Sequence, residues 1–290
     1  MLSFAKLNAY YRLTRLDKPV GIWLLMWPTL WGLLIAGQGF PAITVTLVFV
    51  LGTILMRSAG CALNDIADRH WDGAVARTQA RPLATGEISV REAYVVAGVL
   101  SLLAFVLVCL LSWDVMLWSL PALFLAASYP YTKRFLAIPQ AYLGIAFGFG
   151  IPMAFVALQE HPPAVAWWLL LANVCWSVAY DTAYAMVDRE DDLKVGIRSS
   201  AITFGRFDVL AIMLSFVAMM SVLAKVAMDI GLGWPFWLGW GGAIVQIIRQ
   251  YQLISTRQPA LCFKAFLDNV WIGASLTTGM ALAYWLRGFA

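Results

Sequence analysis

The sequence predicts an all-α integral membrane protein of nine transmembrane helices, and three observations carry that expectation. Of the 290 residues, 62% are hydrophobic and only 12% are charged, about half the roughly 25% charge of a soluble domain. The mean hydropathy is +0.77, and 14 tryptophans are present. Apolar stretches recur along the whole chain at lengths near the roughly 20 residues that one helical crossing of a bilayer requires. With so little charge to coat a globule, soluble enzymes and nucleic-acid-binding domains are excluded. The net charge of +4 is unevenly placed, so it points to topology rather than to an anionic macromolecular partner.

The elements come in this order along the chain. Residues 1–19, MLSFAKLNAYYRLTRLDKP, hold four basic residues without an apolar run or a small-residue cleavage site, which reads as an interfacial helix rather than a signal peptide. Apolar spans fall at about 20–37, 41–66, 90–111, 113–131, 138–158, 164–187, 207–228, 232–252 and 267–286. The breaks GQGFP at 37–41, Trp113-Asp114, HPP at 161–163 and GLGWP at 231–235 carry short-turn chemistry. The stretches 67–89 and 188–206 are longer and charged. Short turns and long loops therefore alternate between the two sides of the membrane, within a single domain over 1–290.

Orientation is set by Lys and Arg. Eighteen of the 20 fall on the side that holds the N-terminus and the long loops, leaving Lys225 and Arg287 opposite. The positive-inside rule makes that side cytoplasmic, with the N-terminus inside and the C-terminus outside.

Half of the 16 acidic residues gather at two places. NDIADRHWD, residues 64–72, ends the second span on the inner side, and YAMVDREDD, residues 184–192, ends the sixth, with Asp181 just before it. Asn64, Asp68 and Asp72 match Tyr184, Asp188 and Asp192 at a constant offset of 120 residues. Four spans separate them, so the chain reads as two four-helix repeats of parallel topology, about 20–131 and 138–252, followed by a ninth helix at 267–286. Both acidic clusters then lie on one face.

At about 100° per residue, positions i, i+4 and i+8 stay within one polar stripe of a helix. Arg57, seven residues before Asn64, and Asp181 fall on the same faces and extend each stripe into the membrane. Carboxylates at helix C-termini face the negative end of the macrodipole, so a cation is required to offset them. A few oxygen donors from two facing helices suit Mg2+, which takes one or two carboxylates and fills its octahedron with water and phosphate oxygens. The basic residues next in the chain, Arg69, Arg77 and Arg81 after the first stripe and Lys194 and Arg198 after the second, provide charge-assisted bonds to further phosphate oxygens. Glu190 and Asp191 point off the stripe. A transporter or channel would place its carboxylates nearer the bilayer midplane, commonly between inverted repeats. It remains the alternative of a different class.

These signatures, NDIADRHWD with ARTQARPLATGEIS and YAMVDREDDLKVGIRSS, together with RLDKPVGIWLLMWPTLWGL at 15–33 and SYPYTKRF at 128–135, resemble those of the UbiA superfamily of intramembrane aromatic prenyltransferases. The resemblance covers nearly the whole chain. It implies nine helices around a central cavity, Mg2+ ions bridging aspartates to a polyprenyl diphosphate, and a prenyl tail lying in a lateral opening to lipid. It places metal ligation on Asn64, Asp68, Asp72, Asp188 and Asp192, with Asp68, Asp72, Asp188 and Asp192 as catalytic groups. Substrate contacts then fall to Arg57, Tyr184 and the YxxxK pair Tyr129 and Lys133, with Arg134 a further candidate. The implied reaction moves a polyprenyl group to the ring carbon ortho to the hydroxyl of 4-hydroxybenzoate, with release of pyrophosphate. This is a step of ubiquinone biosynthesis in a bacterial inner membrane, with the active site facing the cytoplasm. Branches acting on haem or a naphthoate are the alternatives within the superfamily.

The four cysteines, Cys61, Cys109, Cys175 and Cys262, lie singly without a CxxC or a nearby histidine, so they read as small buried hydrophobes. His161 belongs to an outer turn, and His70 is expected to face the loop rather than act as a base. Arg57 and Arg134 are the expected anchors for an aromatic carboxylate.

Overall fold

The computed structural model describes residues 4–75 and 77–288; the remaining residues of the expected 1–290 domain, including 1–3 of the interfacial segment, lie outside it. Among the described residues there are helices and turns but no strand. The order is α1 (Phe4–Leu13), α2 (Val20–Ala36), α3 (Ile43–Asp68), α4 (Val90–Val108), α5 (Trp113–Thr132), α6 (Pro139–Gly148), α7 (Gly150–Gln159), α8 (Ala164–Val195), α9 (Ser200–Phe204), α10 (Asp208–Asp229), α11 (Trp234–Ile254) and α12 (Pro259–Arg287). Short 3-10 turns lie at Asp72–Ala74 and Gly205–Phe207.

Each of the nine expected spans coincides with helix. Five segments are long and apolar enough to cross a bilayer: Ile43–Asp68, Val90–Val108, Pro139–Gln159, Ala164–Lys194 and Ser200–Asp229. The apolar helix α2 is shorter, at 17 residues. Helices α5, α11 and α12 dilute their apolar stretches with Pro121 and Pro130, with Gln246, Arg249 and Gln250, and with Lys264, Asp268 and Asn269.

Four boundaries differ from the sequence expectation. The fifth span is broken at Phe149 into α6 and α7, where Gly148, Gly150 and Pro152 are weak helix formers. The ninth helix begins earlier, at Pro259. The long charged loop expected at 188–206 starts later, because α8 continues to Val195 and closes on Gly196, which takes the left-handed conformation at φ 72°. Its 32 residues make a rod about 48 Å long, so Asp188 and Asp192 stand on helix beyond the apolar stretch. The first acidic stripe does the reverse. Helix α3 stops at Asp68, and Asp72 lies beyond it in the 3-10 turn. His70, Trp71 and Gly73 do not sustain a helix as Met186, Arg189 and Leu193 do.

The core is aromatic and hydrogen-bonded. Trp31 on α2 stacks on Trp176 of α8 at 5.4 Å; the two indole N–H groups donate to Thr277 Oγ1 at 2.8 Å and Asn269 Oδ1 at 3.0 Å on α12. Both rings are fully buried, so these bonds satisfy donors that would otherwise be left unpaired. Gly144 lets α6 lie directly against the α8 backbone, because a Cβ there would meet Val174 Cα at 2.7 Å. Asn173 Nδ2 donates to the Gly144 carbonyl at 2.8 Å across the same contact.

Helix α1 lies against α3 and α4, with Ala9 and Leu13 packed on Ala62, Ile66, Ile88, Ala93 and Ala97. Phe4, Leu7 and Tyr11 face outward. Lys6 pairs with Glu92 at 2.7 Å, and Arg12 binds Glu87; its guanidinium holds the Glu87 carboxyl below the ordinary range. Lys225 and Arg287 lie at the other end of the bundle from this cluster. Lys225 pairs with Asp229 and lies over the Trp168 ring at 5.2 Å, while Arg287 donates to the Gly231 carbonyl.

Candidate functional site

A cavity of about 1100 Å³ runs into the bundle among α2–α8 and α12. Its walls change character along its length. At one end stand Asn64, Asp65, Asp68 and Asp72 from the first arm, and Asp181, Tyr184, Asp188 and Asp192 from α8. The other end is apolar, with Val48, Phe49, Val108, Leu111, Val115 and Met153 among its walls. Between α4 and α5 this apolar part reaches the surface, because Leu102 and Leu120 line the cavity and are still 62% and 56% exposed.

The carboxylates are held by basic side chains from the loops. Lys133 Nζ lies 3.0 Å from Asp68 Oδ2, which also accepts from Asn64 Nδ2 at 3.1 Å. Arg81 Nη1 contacts Asp72 Oδ2 at 2.8 Å and Asp65 Oδ1 at 3.0 Å, joining the two acids. Arg77 reaches α8 instead: its Nη2 and Nε bind Asp188 at 2.6 and 3.0 Å, and its guanidinium lies 4.5 Å from the centre of the Tyr184 ring. Burial pushes the Asp72 carboxyl above its usual range, with Arg81 pulling it back. Burial acts against the charge of Arg81, but Asp65 and Asp72 outweigh it and raise the group. Asp181 and Asp192 have no Lys or Arg within ion-pair distance among the described residues.

Deeper in the bundle, Arg57 on α3 lines the cavity with no carboxylate partner among the described residues. Its Nη1 contacts Cys61 Sγ at 2.7 Å, its guanidinium lies 5.6 Å from the Phe147 ring centre, and its Nε is buried without an acceptor. It lies within Coulombic reach of Asp181 and Tyr129. Gly21 makes room for it, since a Cβ at that position would strike the guanidinium.

Of the residues expected from sequence, Arg57, Asn64, Asp68, Asp72, Arg77, Arg81, Tyr129, Lys133, Asp181, Tyr184, Asp188, Asp192 and Arg198 all line this one cavity. Three do not. Arg69 turns back to the Ile66 carbonyl at 2.9 Å. Arg134 lies over the Trp71 and Tyr131 rings, 5.0 Å from each centre, and donates to the Ala67 carbonyl. Lys194 is mostly exposed and pairs with Asp191. The Arg198 N–H donates to the Lys133 carbonyl at 3.0 Å, and its Nη1 donates to the Phe135 carbonyl. His70 and His161 are both exposed. Cys61 and Cys262 are buried, but Cys109 is exposed, because its helix ends there at the surface. Sequence reasoning missed Asp65 and Arg15, both of which line the cavity. The available signals were the position of Asp65 beside Asn64 and of Arg15 at the head of RLDKPVG.

The donor set fits a hard divalent cation. Oxygen donors from two opposed elements border one end of the cavity, yet among the described residues no three carboxylate, imidazole or thiolate groups converge tightly enough to chelate an ion unaided. That arrangement suits an ion completing its shell with water and substrate oxygens.

Comparison with known proteins agrees with this geometry. A profile of the UbiA prenyltransferase family matches residues 25–278. The 4-hydroxybenzoate octaprenyltransferase of Aromatoleum aromaticum is 59% identical over 280 residues, covering 97% of this chain and 95% of that one. Among solved structures, the apo form of a UbiA homologue from Aeropyrum pernix K1 superposes with a TM-score of 0.80 at 23% identity, over 90% of this chain and 97% of that one. A UbiA homologue from Archaeoglobus fulgidus bound to GPP and Mg2+ superposes at 0.69 with 19% identity, over 92% and 99%.

Proposed function

The chain belongs to the UbiA prenyltransferase family, and on that premise we propose that its cavity carries out polyprenyl transfer to 4-hydroxybenzoate. The protein moves a polyprenyl group from its diphosphate to the ring carbon ortho to the hydroxyl, releasing pyrophosphate. This is the membrane prenylation step of ubiquinone biosynthesis. The observation that carries the reading is the single cavity whose one end is lined by both carboxylate arms and whose other end is apolar and open between α4 and α5.

Asn64, Asp68 and Asp72 on one arm and Asp188 and Asp192 on the other would hold Mg2+. Bound there, Mg2+ neutralises the charge that develops on the departing diphosphate. Arg77, Arg81 and Lys133 exchange their present carboxylate partners for diphosphate oxygens, supported by Arg198. Arg57 binds the carboxylate of 4-hydroxybenzoate, because it is a cavity-lining cation without an anionic partner and with one N–H unsatisfied. The C–O bond of the allylic diphosphate breaks, the ring carbon bonds to the prenyl terminus, and the ring proton passes to a site aspartate. Asp181 is the acid best suited to receive it, since it borders the cavity without an ion-pair partner. The apolar walls exclude the water that would otherwise quench an allyl cation, and the Tyr129 face contributes cation–π stabilisation of about 0.5–2 kcal/mol.

Helices α2–α5, the pair α6 and α7, and α8, α10, α11 and α12 read as nine crossings in a bacterial inner membrane, with the N-terminus and the carboxylate end of the cavity on the cytoplasmic side. Lys225 and Arg287 at the opposite end support that orientation. The 120-residue offset and the matching contacts of α3 with α4 and of α8 with α10 support two parallel repeats. The test is incubation of membranes carrying the protein with a polyprenyl diphosphate, 4-hydroxybenzoate and Mg2+, beside an EDTA control. Prenylated acid that appears only with the metal is expected. Pyrophosphate release with haem or a naphthoate, and none with 4-hydroxybenzoate, would overturn the choice of acceptor.

A further inference from the structure

Helix α1 ends in a way that its sequence disfavours. The Leu16 N–H donates to the Tyr11 carbonyl and the Arg15 N–H to the Arg12 carbonyl, the two bonds of a Schellman motif whose left-handed position is normally glycine. Arg15 occupies that position at φ 57°, whereas α8 places Gly196 in its left-handed position, the Gly196 and Ile197 N–H groups both donating to the Asp192 carbonyl. An arginine held there bears a backbone cost that glycine does not. Its side chain recovers that cost by one specific contact. Arg15 Nη2 grips both oxygens of Asp65, at 2.8 and 3.0 Å, while Nη1 donates to the Arg12 carbonyl at 2.6 Å.

Asp65 is 1% exposed and is not on the stripe formed by Asn64 and Asp68. Its other cationic neighbour is Arg81, which is shared with Asp72. Asp65, Asp68 and Asp72 thus place three carboxylates at the negative end of the α3 dipole, where the substrate brings a diphosphate. An unneutralised Asp65 would repel that diphosphate and draw Arg81 away from it.

We propose that Arg15 is a positioning residue for diphosphate binding: by neutralising the buried Asp65 from the end of α1, it frees Arg81 to turn between Asp72 and the substrate phosphate. The inference rests on reading this end of the cavity as the diphosphate site. It also gives the RLDKPVG segment a role, since Asp17, Lys18 and Gly21 border the same cavity.

The test uses Arg15→Gly, Arg15→Lys and Arg15→Ala in the full-length protein in membranes, with initial rates measured against polyprenyl diphosphate, Mg2+ and 4-hydroxybenzoate in turn. Glycine suits the left-handed backbone, so Arg15→Gly removes the side chain without adding backbone strain. It is expected to raise the KM for the diphosphate and the Mg2+ concentration at half-maximal rate about tenfold, leaving the KM for 4-hydroxybenzoate unchanged. Arg15→Lys should recover part of the loss, and Arg15→Ala should lose both stability and diphosphate affinity. A folded Arg15→Gly protein with wild-type constants would overturn the inference, as would a fall in kcat with both KM values unchanged. A wild-type protein that forms no prenylated acid would instead remove the underlying functional reading, which separates the two failures.

Discussion

Arg77 and Asp188 lie 111 residues apart in the chain, yet the Arg77 guanidinium grips the Asp188 carboxylate through Nη2 at 2.6 Å and Nε at 3.0 Å. The loop after the first acidic window thereby closes over the second. The two arms meet through an arginine rather than carboxylate to carboxylate, so Asp188 is already paired before an anionic substrate enters.

On the proposed reading, replacing one carboxylate of either arm removes a metal ligand and strands its basic partner. Asp68→Ala or Asp188→Ala is expected to lower the prenyl-transfer rate at least about 10²–10³-fold, the scale of losing one electrostatic stabiliser of a transition state. The protein should still insert and fold in membranes. Product formation and melting temperature together check this, and near-wild-type turnover in either variant would remove the paired-arm site.

Arg57 is expected to act on one substrate only. A charge-assisted bond to a carboxylate contributes about 1.5–3 kcal/mol, so Arg57→Ala should raise the KM for 4-hydroxybenzoate about 10–100-fold. The KM for the polyprenyl diphosphate should not move. Arg57→Lys should recover only part of the affinity, because an ammonium lacks the planar fork. An equal rise in both constants would place Arg57 at the diphosphate.

Gly21→Ala provides an independent probe of the same anchor. Alanine is the better helix former by about 1 kcal/mol, so any loss arises where its Cβ meets the Arg57 guanidinium. Weaker binding of the aromatic acid with an unchanged melting temperature is expected. Adding Gly21→Ala to Arg57→Ala should cost nothing further, and additive losses would show that the two do not act through one contact.

Thr277→Val tests the core. It deprives the fully buried Trp31 N–H of its acceptor at nearly constant volume, and a buried unpaired donor costs about 1–3 kcal/mol. A lower melting temperature with unchanged kinetic constants is expected. No change in melting temperature would mean that the indole finds another acceptor.

The helices were legible because the signal is local. A run of apolar side chains needs no knowledge of its neighbours to become a helix, and the spacing of Tyr184, Asp188 and Asp192 survives intact on α8. What failed depended on where the chain turns. His70, Trp71 and Gly73 weaken the helix without marking Asp68 as its last residue, so Asp72 left its expected stripe. Arg69, Arg77 and Arg81 share one loop and one charge, but turn geometry sends the first back to the Ile66 carbonyl and the other two into the cavity. Arg134 was lost in the same way, drawn onto Trp71 and Tyr131. The pairing of Arg15 with Asp65 spans 50 residues and exists only once α1 lies against α3 and α4.

On the proposed reading, the exposed Leu102 and Leu120, which border the cavity between α4 and α5, also govern how the products leave. A prenylated acid is too oily to leave through the charged end, and pyrophosphate is too polar to leave through the oily one. The two products therefore part into different phases as they are released, one diffusing in two dimensions within the bilayer and the other diluting into water. The reverse reaction would need both to meet again across that boundary. Direction is thus built into the architecture of the exits, and the next enzyme to use the product must collect it from the lipid.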